Sequence, residues 1–324
     1  MVIMMDEFSF IDSIKQNTYK QSSLIKGVGD DAAVFRSDSK DIVTAVDTFV
    51  EGIHFTRKTM DPYHVGYRAL GANVSDLAAM GATPAFYLVS IVIPKNWAIE
   101  DISQIFIGMK DLANQHTMDL IGGDTVSGIE LSISITVIGF VEEEKARYRS
   151  TAKEGDLVFV TGTLGDSQAG LYILMNEGNY EDTNYYVERH RMPSPRIDFA
   201  KKLSYLSRVT LNDISDGIGN EANEIAEASE VTIIIQDELV PVHSSYYQFS
   251  PELQHKWKYY GGEDFELIGT VPESEWETVQ HIADQTNTMV TQIGYVSSDK
   301  GNDVFLYRNQ QKEQLKKKGY NHLK

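Results

Sequence analysis

A repeated pattern restricts the fold of this chain more than any other feature: an apolar, strand-like run ends in a short segment of glycine and aspartate. The first example is Lys26–Val34, in which two glycines precede Asp30 and Asp31. Glycine permits positive φ and close approach of a ligand to the backbone. Two like charges about 4 Å apart repel by roughly 4 kcal/mol at an effective dielectric constant of 20. Neighbouring carboxylates in such a loop therefore require protons or cations nearby.

The same pattern recurs at four further places. These are Asp47 after Ile42–Val46, Asp124 in Gly122–Thr125, Asp213 and Asp216 in Asn212–Gly217, and Glu263 and Asp264 in Gly261–Asp264. Aspartate and glycine also form ordinary turns, so any one of these segments can be purely structural. Together they offer only oxygen ligands on loops, which suit a hard cation, Mg²⁺ before Zn²⁺. The pattern therefore predicts magnesium binding.

Charge and composition exclude several classes of function. The 29 basic and 47 acidic residues give a formal net charge of −18, which argues against non-specific binding to nucleic acid or to an anionic membrane. The absence of cysteine excludes disulfides, thiolate metal sites and cysteine nucleophiles. No run approaches the roughly 20 apolar residues of a membrane span, and the N-terminus lacks the pattern of a signal peptide. We therefore expect a cytoplasmic protein.

Length and patterning predict two domains. A chain of 324 residues corresponds to about two domains, and the charged break Glu142–Lys145 suggests a division into residues 1–143 and 144–324. Because strands and helices alternate irregularly, we expect an α+β fold with helices on one face of each sheet. The polar segment Glu177–Glu188 is expected to be a loop, and Arg189–Arg196, which contains two prolines, a stiff basic connection.

Two candidate residues lie near a predicted helix of the first domain. The helix begins at Asp61-Pro62, where aspartate suits the N-cap and proline the first turn, and runs to about Met80. Asp76 inside this apolar helix is costly unless it is paired, so it has a functional role or makes an internal hydrogen bond. His54, which follows the strand before the helix, could bind a substrate phosphate or merely fill a loop.

Two further segments look like nucleotide-binding loops. Gly162–Ser167 opens a predicted helix, whose backbone N–H groups could hold phosphate, although Asp166 would repel a bare phosphate or else hold a metal. Gly217–Ala222 fits G-x-G-x-x-A. A dinucleotide site is nevertheless not expected there, because Asp213 and Asp216 occupy the region of the pyrophosphate charge and the surrounding βαβ units are missing.

Eight motifs together resemble those of a known family. In chain order they are Gly27–Ala32, Val46–Thr48, Gly52–Phe55, Asn73–Ala82, Gly122–Thr125, Val160–Ser167, Ile214–Gly217 and Gly261–Asp264. Over nearly its whole length the chain resembles the thiamine-monophosphate kinases, a family within the AIR-synthase-like superfamily. The resemblance implies ATP-dependent phosphorylation of thiamine monophosphate to thiamine diphosphate by direct in-line transfer, the last step of thiamine diphosphate biosynthesis.

The resemblance also implies a fold and a set of ligand-binding residues. The fold would be an N-terminal domain whose mixed sheet forms a barrel-like homodimer interface, followed by a C-terminal α/β domain. Several Mg²⁺ ions would be bound at Asp31, Ala45, Val46, Asp47, Asp76, Asp124, Asp213 and Asp216. ATP would be held by Gly123, Asp124, Arg149 and Ser215. Thiamine monophosphate would contact His54, Glu263 and Tyr320.

The implied chemistry needs no dedicated general base. The attacking group would be a substrate phosphate oxygen, which is already ionised at neutral pH, so positioning and charge neutralisation suffice. Arg149 is the basic side chain assigned to phosphate, and a simple surface charge is the alternative. The chain departs from its relatives at Ala45-Val46, where they often carry Ser/Thr-Thr. A backbone carbonyl at Val46 can still bind metal, but side-chain ligation at Ala45 is lost, so one metal position should be weaker or absent.

Two other functions stay open from the sequence alone. One is another AIR-synthase-like, ATP-dependent enzyme that acts on a different phosphate-bearing acceptor. The other is a regulator that binds a magnesium nucleotide without catalysis, although binding alone would need fewer carboxylates than this chain carries. Turnover of ATP would distinguish an enzyme from a regulator.

Overall fold

The chain divides into two compact units. The structure, a computed structural model, describes residues 14, 16, 18–26, 34, 35 and 40–318. The first unit comprises Met1–Leu77 and Thr83–Glu144, and the second comprises Ala78–Ala82 and Lys145–Lys324.

The first unit is built on a mixed four-stranded sheet. Its elements are β1 (Leu24–Lys26), β2 (Val34–Phe35), β3 (Lys40–Val50), α1 (Pro62–Ala79, whose last two residues belong to the second unit), β4 (Thr83–Pro94), α2 (Ile99–Gln115), β5 (Asp119–Gly128) and β6 (Ser132–Glu142). Strands β1 and β2 form an antiparallel pair. The remaining strands have the order β3-β6-β4-β5, in which β4 and β5 are parallel and the other pairs antiparallel.

Helices α1 and α2 approach each other in backbone contact. Helix α1 begins at Pro62, as predicted, because proline lacks only an N–H that the first turn would leave unbonded anyway. A Cβ atom at Gly66 would lie 1.8 Å from the carbonyl oxygen of Ile105, and one at Gly108 would lie 2.0 Å from that of Tyr63. Glycine is therefore required at both crossing points.

The four-stranded sheet has one buried face and one open face. On β6, Ile133, Ile135 and Val137 are buried, whereas the residues that alternate with them are partly exposed, as expected for a half-buried strand. On the edge strand β3, Ile42 and Val46 are 51% and 61% exposed. We call this side the open face. In register on it lie Ile42, Val46 and Thr48 of β3, Ser134 of β6, Ser90 of β4, and Asp124 and Val126 of β5.

The second unit is built on a seven-stranded sheet. Its elements are β7 (Asp156–Thr161), α3 (Asp166–Met175), α4 (Thr183–Arg191), α5 (Ile197–Lys202), β8 (Thr210–Asp213), α6 (Ile218–Ser229), β9 (Thr232–Gln236), α7 (Pro251–Tyr260), β10 (Leu267–Pro272), α8 (Trp276–Gln285), β11 (Val290–Ser297), β12 (Val304–Arg308) and β13 (Gln311–Gln314). The strand order is β13-β12-β9-β11-β7-β10-β8. Strands β9 and β12 are parallel, and the other neighbouring pairs are antiparallel. Both units thus combine helices with a mixed sheet, and the predicted α+β class is confirmed.

Helices cover both faces of the seven-stranded sheet. Val158 of β7 belongs to the same apolar cluster as Ile218 of α6. The next residue, Phe159, points to the other face, where its ring centroid lies 6.2 Å from that of Phe199 in α5 and 6.1 Å from that of Trp276 in α8. The prediction of helices on one face is therefore wrong for the second unit. Successive apolar residues of its strands point to opposite faces, and helices pack on both.

The segment Glu177–Glu188, predicted as a loop, contains the start of α4. This helix buries only Tyr186 and His190 along one side, so its sequence shows little apolar periodicity. It is fixed instead by tertiary contact with α3, where a Cβ atom at Gly170 would lie 2.1 Å from the carbonyl oxygen of Tyr186. Within the described ranges, each helix is too short or too polar to span a lipid bilayer.

Candidate functional site

The end of β3 brings several predicted residues together. Asp47 is half-buried, and its backbone N–H donates to Oδ1 of the fully buried Asn73 on α1 at 2.9 Å. Asp76 follows Asn73 by three residues and so lies on a neighbouring side of the same helix. Burial raises the pKa of Asp47, and the nearby His54 partly opposes this shift. Asp47 is thus within electrostatic range of His54.

The orientation of His54 is set by the turn that follows β3. Gly52 has φ +84°, a conformation that favours glycine, and the turn directs the His54 ring back onto the strand. Its Nδ1 accepts the backbone N–H of Val50 at 3.1 Å, and its centroid lies 5.1 Å from that of Phe49. Because Nδ1 acts as an acceptor, the neutral ring carries its proton on Nε2, which is a suitable donor to a phosphate oxygen.

The segment Gly122–Thr125 is predicted as a loop but lies inside β5. The prediction fails because paired glycines usually weaken a strand, whereas here the glycine is needed for strand pairing. A Cβ atom at Gly123 would lie 2.0 Å from the carbonyl oxygen of Val89 on β4. Only glycine therefore lets β5 run alongside β4 at this point.

Strand register separates Asp124 from Asp47. Asp124 pairs with Ser90, is exposed and lies on the open face. Asp47 pairs with Ile135 of β6 and therefore lies on the buried face. The two carboxylates belong to the same sheet but to opposite sides of it.

The pair Ala45-Val46 lies in the middle of β3. The side chain of Ala45 is half-buried on the buried face, and that of Val46 is on the open face. Neither side chain carries an oxygen atom, so metal binding at this pair is limited to backbone carbonyl groups.

In the second unit, β8 and the turn after it hold three predicted residues. Asp213 is the last residue of β8 and is buried, while Ser215 and Asp216 lie in the turn that leads to α6. The turn closes at Gly217, whose φ is +102°. A Cβ atom there would lie 2.8 Å from Cα of Tyr260, so the tight entry into α6 requires glycine.

The Gly261–Asp264 motif is hydrogen-bonded directly to this turn. The backbone N–H of Glu263 donates to the carbonyl oxygen of Ser215 at 2.7 Å. A Cβ atom at Gly262 would lie 2.3 Å from the same oxygen. Glu263 itself has φ +70°, and such a conformation persists in a non-glycine residue only where its surroundings fix the backbone. Glu263 and Ser215 are therefore held as neighbours.

Arg149 is fixed beside the β8 strand. Its Nε donates to Oδ1 of Asn212 at 3.0 Å, and its Nη1 lies 3.1 Å from Oε2 of Glu224. The Nδ2 of Asn212 donates to the same Glu224 oxygen at 3.1 Å. The half-exposed guanidinium of Arg149 is thus held by Asn212 and Glu224 rather than extending freely from the surface.

Asp264 connects the Glu263 loop to the start of α3. Its carboxylate is buried and accepts the backbone N–H groups of Gly165 at 2.7 Å and Ser167 at 3.0 Å. Burial, with the nearby Asp166 carboxylate, raises the pKa of Asp264 to about 7. Two backbone N–H groups at the start of α3, which could have bound phosphate, are therefore already bonded to the Asp264 side chain.

The segment Arg189–Arg196, predicted as a basic connection, supplies two cations to the interior. Both Nε and Nη2 of Arg196 donate to the fully buried carboxylate of Glu266, at 2.7 and 2.6 Å. Arg189 Nη2 and Thr161 Oγ1 donate to the same carboxylate at 2.7 and 2.6 Å. Burial alone would raise the pKa of Glu266, but the two guanidinium groups hold it below its ordinary value.

Glu221 is a residue of this region that the sequence analysis missed. It lies in the first turn of α6 and is 2% exposed, and its Oε1 accepts the backbone N–H of Asp216 at 2.8 Å and the hydroxyl of Ser215 at 3.4 Å. Its Oε2 has no hydrogen-bond partner among the described residues. The sequence could have indicated it, because Glu221 is a carboxylate on the apolar side of a helix, between the buried Ile218 and Ala222.

The oxygen donors of the site suit Mg²⁺ bound with a phosphorylated ligand. Asp213 and Asp216 are close enough to raise the pKa of Glu221, which burial already raises well above its ordinary value. Within the part of the chain that the structure describes, no three His, Asp or Glu side chains are grouped to hold a metal ion unaided. Mg²⁺ usually keeps several waters and takes one or two carboxylates together with substrate phosphates. The donor set fits that mode of binding.

Two predicted site residues, Asp31 and Tyr320, lie outside the described residues. The remaining ones fall into two groups. The first unit holds Ala45, Val46, Asp47, His54, Asp76, Gly123 and Asp124, and the second holds Arg149, Asp213, Ser215, Asp216 and Glu263.

Comparison with known proteins identifies the family. Residues 29–141 match the family described as AIR synthase related protein, N-terminal domain, and residues 153–307 match AIR synthase related protein, C-terminal domain. The thiamine-monophosphate kinase of Bacillus subtilis (strain 168) is 44% identical over 326 residues, covering 99% of this chain and 100% of the relative.

Solved structures give the same result. The thiamine-monophosphate kinase of Stenotrophomonas maltophilia K279a superposes with a TM-score of 0.84 at 29% identity, covering 93% of this chain and 96% of that one. A structure of AaThiL complexed with AMPPCP and TMP superposes with a TM-score of 0.77 at 31% identity, covering 98% and 97%. The chain therefore belongs to the thiamine-monophosphate kinase family of the AIR synthase related proteins.

Proposed function

We propose that this protein transfers the terminal phosphoryl group of ATP to the phosphate of thiamine monophosphate, giving thiamine diphosphate and ADP. The observation that carries the proposal is the 2.7 Å hydrogen bond between Glu263 and Ser215, because it joins a residue assigned to the acceptor to one assigned to ATP. The names of the relatives and the AaThiL complex with AMPPCP and TMP support the same reaction. They weigh against a different acceptor and against a regulator without catalysis.

In the second unit, five residues have roles in this proposal. Ser215 and Arg149 bind the nucleotide, the hydroxyl as a hydrogen-bond partner and the guanidinium as a counter-charge for phosphate oxygens. Asp213 and Asp216 supply carboxylate oxygens for magnesium. Glu263 contacts thiamine monophosphate from the loop that is bonded to the nucleotide-binding turn.

A second set of residues with roles in this proposal lies in the first unit. Gly123 lets the backbone approach ATP, and the exposed carboxylate of Asp124 serves both ATP binding and magnesium. Asp47 and Asp76 supply further carboxylates for magnesium. His54 donates from Nε2 to a phosphate oxygen of thiamine monophosphate. Asp31 and the Ala45-Val46 backbone complete the proposed metal-binding set, and Tyr320 completes the acceptor-binding set.

The reaction as proposed requires alignment more than proton transfer. A non-bridging oxygen of thiamine monophosphate attacks the γ-phosphorus, the bond from that phosphorus to the β,γ-bridging oxygen breaks, and ADP leaves with the bond's electron pair. The attacking oxygen is already ionised at neutral pH, so no side chain needs to act as a general base. Bound Mg²⁺ would neutralise the charge of the phosphate groups. The protein's part is to hold both phosphates in line and to exclude competing water.

The proposal predicts a specific turnover. Purified protein mixed with ATP, Mg²⁺ and thiamine monophosphate should form thiamine diphosphate and ADP in equal amounts, both measured by chromatography, and EDTA should abolish the reaction. ATP hydrolysis without thiamine diphosphate would instead indicate another acceptor. Nucleotide binding without turnover would favour a regulator.

We further propose that two copies associate through the open face of the first unit. Its exposed apolar residues include Ile42 and Val46 on edge strand β3 and Val126 on edge strand β5. Exposed apolar side chains grouped on one sheet face often mark a protein–protein contact. A second copy is the occupant that the family resemblance implies, with the two sheets forming a barrel-like interface.

The substitution Ile42→Lys is expected to convert the dimer to a monomer, because it places a charge on the apolar part of the open face and lysine opposes edge pairing. Light scattering after size-exclusion chromatography measures the result. Ile129→Lys is the matched control, since Ile129 is 94% exposed and lies outside the strands. A dimeric Ile42→Lys variant would move the proposed interface elsewhere.

Two coarser expectations accompany this proposal. We propose that the domains comprise residues 1–143 and 144–324. The cytoplasm is proposed as its location, since the ATP that the reaction consumes is available there.

A further inference from the structure

We propose that Glu221 is a positioning residue, which holds the Ser215–Asp216 turn in the conformation that binds the magnesium nucleotide. The inference rests on the proposed function, because that function assigns Ser215 to ATP and Asp216 to magnesium. It adds a residue that belongs to none of the motifs by which the chain resembles its family.

The contacts of Glu221 are concentrated on the turn. One oxygen, Oε1, accepts both the Asp216 N–H at 2.8 Å and the Ser215 hydroxyl at 3.4 Å. A single atom therefore constrains the backbone of one assigned residue and the side chain of the other. Because Gly217 at the start of α6 has no side-chain oxygen, it cannot cap the helix as serine or aspartate would. The N–H that Glu221 binds belongs to Asp216, before the helix, so Glu221 fixes the turn rather than capping α6.

The same turn is held from a second direction. The Glu263 N–H donates to the Ser215 carbonyl oxygen at 2.7 Å, and the Phe265 N–H donates to the preceding carbonyl oxygen at 3.0 Å. The turn thus has its carbonyl groups bound by the Glu263 loop and its N–H and hydroxyl groups bound by Glu221. Loss of the Glu221 contacts would leave one side of the turn without support.

The second carboxylate oxygen of Glu221 is buried at an energetic cost. Oε2 is buried without a hydrogen-bond partner among the described residues, near Asp213 and Asp216. A buried unsatisfied oxygen lowers stability, and an apolar residue that served only packing at this position would avoid that penalty. Such local costs are tolerated mainly at functional sites.

The test compares three substitutions by their affinity for a magnesium complex of AMPPCP, measured by calorimetry without thiamine monophosphate. Glu221→Gln keeps an acceptor oxygen at the same reach and should bind as the wild type does. Glu221→Asp is one methylene shorter, and Glu221→Ala has no acceptor. Both should bind about tenfold more weakly, the effect of losing one or two hydrogen bonds.

Kinetics and controls separate positioning from a general loss of structure. The Asp and Ala variants should raise KM for ATP more than they lower kcat, and the Gln variant should restore both. Glu227→Ala, on the same helix but in an exposed pair with Lys317, is the matched control and should bind normally. Near-UV circular dichroism and thermal unfolding check each variant, and if Glu221→Ala does not fold, the comparison of Gln with Asp decides.

Each outcome has a defined meaning. Wild-type affinity in Glu221→Asp and Glu221→Ala, or equal weakening in Glu221→Gln, would overturn the inference. Because the binding measurement omits thiamine monophosphate, it remains informative even if the wild-type protein phosphorylates a different acceptor. Failure of the proposed reaction and failure of the Glu221 inference are therefore distinguishable.

Discussion

Replacing Asp124 with alanine is expected to lower kcat/KM by about 10²–10³-fold, the range seen when one charge-stabilising group is removed from a catalytic site. In the proposed reaction its carboxylate acts on both ATP and magnesium, so both binding and alignment of the phosphate groups suffer. The fold should survive, because Asp124 is exposed and the hydrogen bond that it accepts comes from the adjacent Thr125 N–H at 2.9 Å.

The Asp124→Ala experiment needs a control on the same strand. Ser127→Ala changes another exposed residue of β5 and should leave kcat/KM unchanged. Since Asp124 lies on the open face, the mass of each variant in solution should be measured together with its turnover. An Asp124→Ala enzyme with wild-type kcat/KM would remove this residue from the metal and nucleotide assignments.

Glu266→Gln is expected to give the largest loss of stability, about 3–5 kcal/mol in the free energy of unfolding. The substitution keeps the shape of the side chain but removes the charge that faces two guanidinium groups in the interior. Arg196 is bonded to this carboxylate through two nitrogens and Arg189 through one. Neither cation can regain full hydration without opening the structure.

Denaturant unfolding can report this effect from the second unit alone. Of the three tryptophans, Trp257 and Trp276 lie in the second unit and Trp97 in the first, so a Trp97→Phe background confines the fluorescence signal to the second unit. Glu227→Gln is the control, because its pair with Lys317 has side chains 50% and 38% exposed. Exposed pairs contribute roughly 0–1 kcal/mol. A small change for Glu266→Gln would show that the arginines find other partners.

The contribution of Glu266 should also depend on pH. Its pKa is lowered in the folded protein, so the ionised carboxylate is stabilised by folding. The contribution is therefore complete above the unfolded pKa of about 4.3 and is lost as pH falls through the lower folded pKa. The difference in stability between wild type and Glu266→Gln should shrink in acid below about pH 4.

Local sequence signals were sufficient where neighbouring residues determine the structure. Helix α1 starts at Pro62 as predicted, because capping and helix-starting residues act over a few positions. The recurrent Asp/Gly segments also predicted irregular backbone at Ser215 and Glu263, and the structure has no helix or strand at either residue. The hydrogen bond between Glu263 and Ser215 could not be predicted from local sequence, because the two residues are far apart in the chain.

Long-range contacts explain what the sequence did not reveal. The pairing of Arg196 with Glu266 joins positions 70 residues apart, and no local spacing encodes it. Gly123 reads as a loop residue until the carbonyl oxygen of Val89 on β4 is seen to occupy the place of its missing side chain. The separation of Asp124 from Asp47 likewise depends on strand register, which a list of motifs does not contain.

The position of Asp124 on the open face has a consequence for how activity depends on concentration. If two copies join through this face, as proposed, the carboxylate that we assign to nucleotide binding in the proposal lies at the boundary between subunits. Dimerisation and ATP binding are then thermodynamically linked. If ATP increases the affinity of the two subunits for each other, dimerisation increases the affinity for ATP by the same factor. Specific activity should therefore fall when the protein is diluted and recover when the ATP concentration is raised. The activity of each molecule would then depend on the concentration of the enzyme.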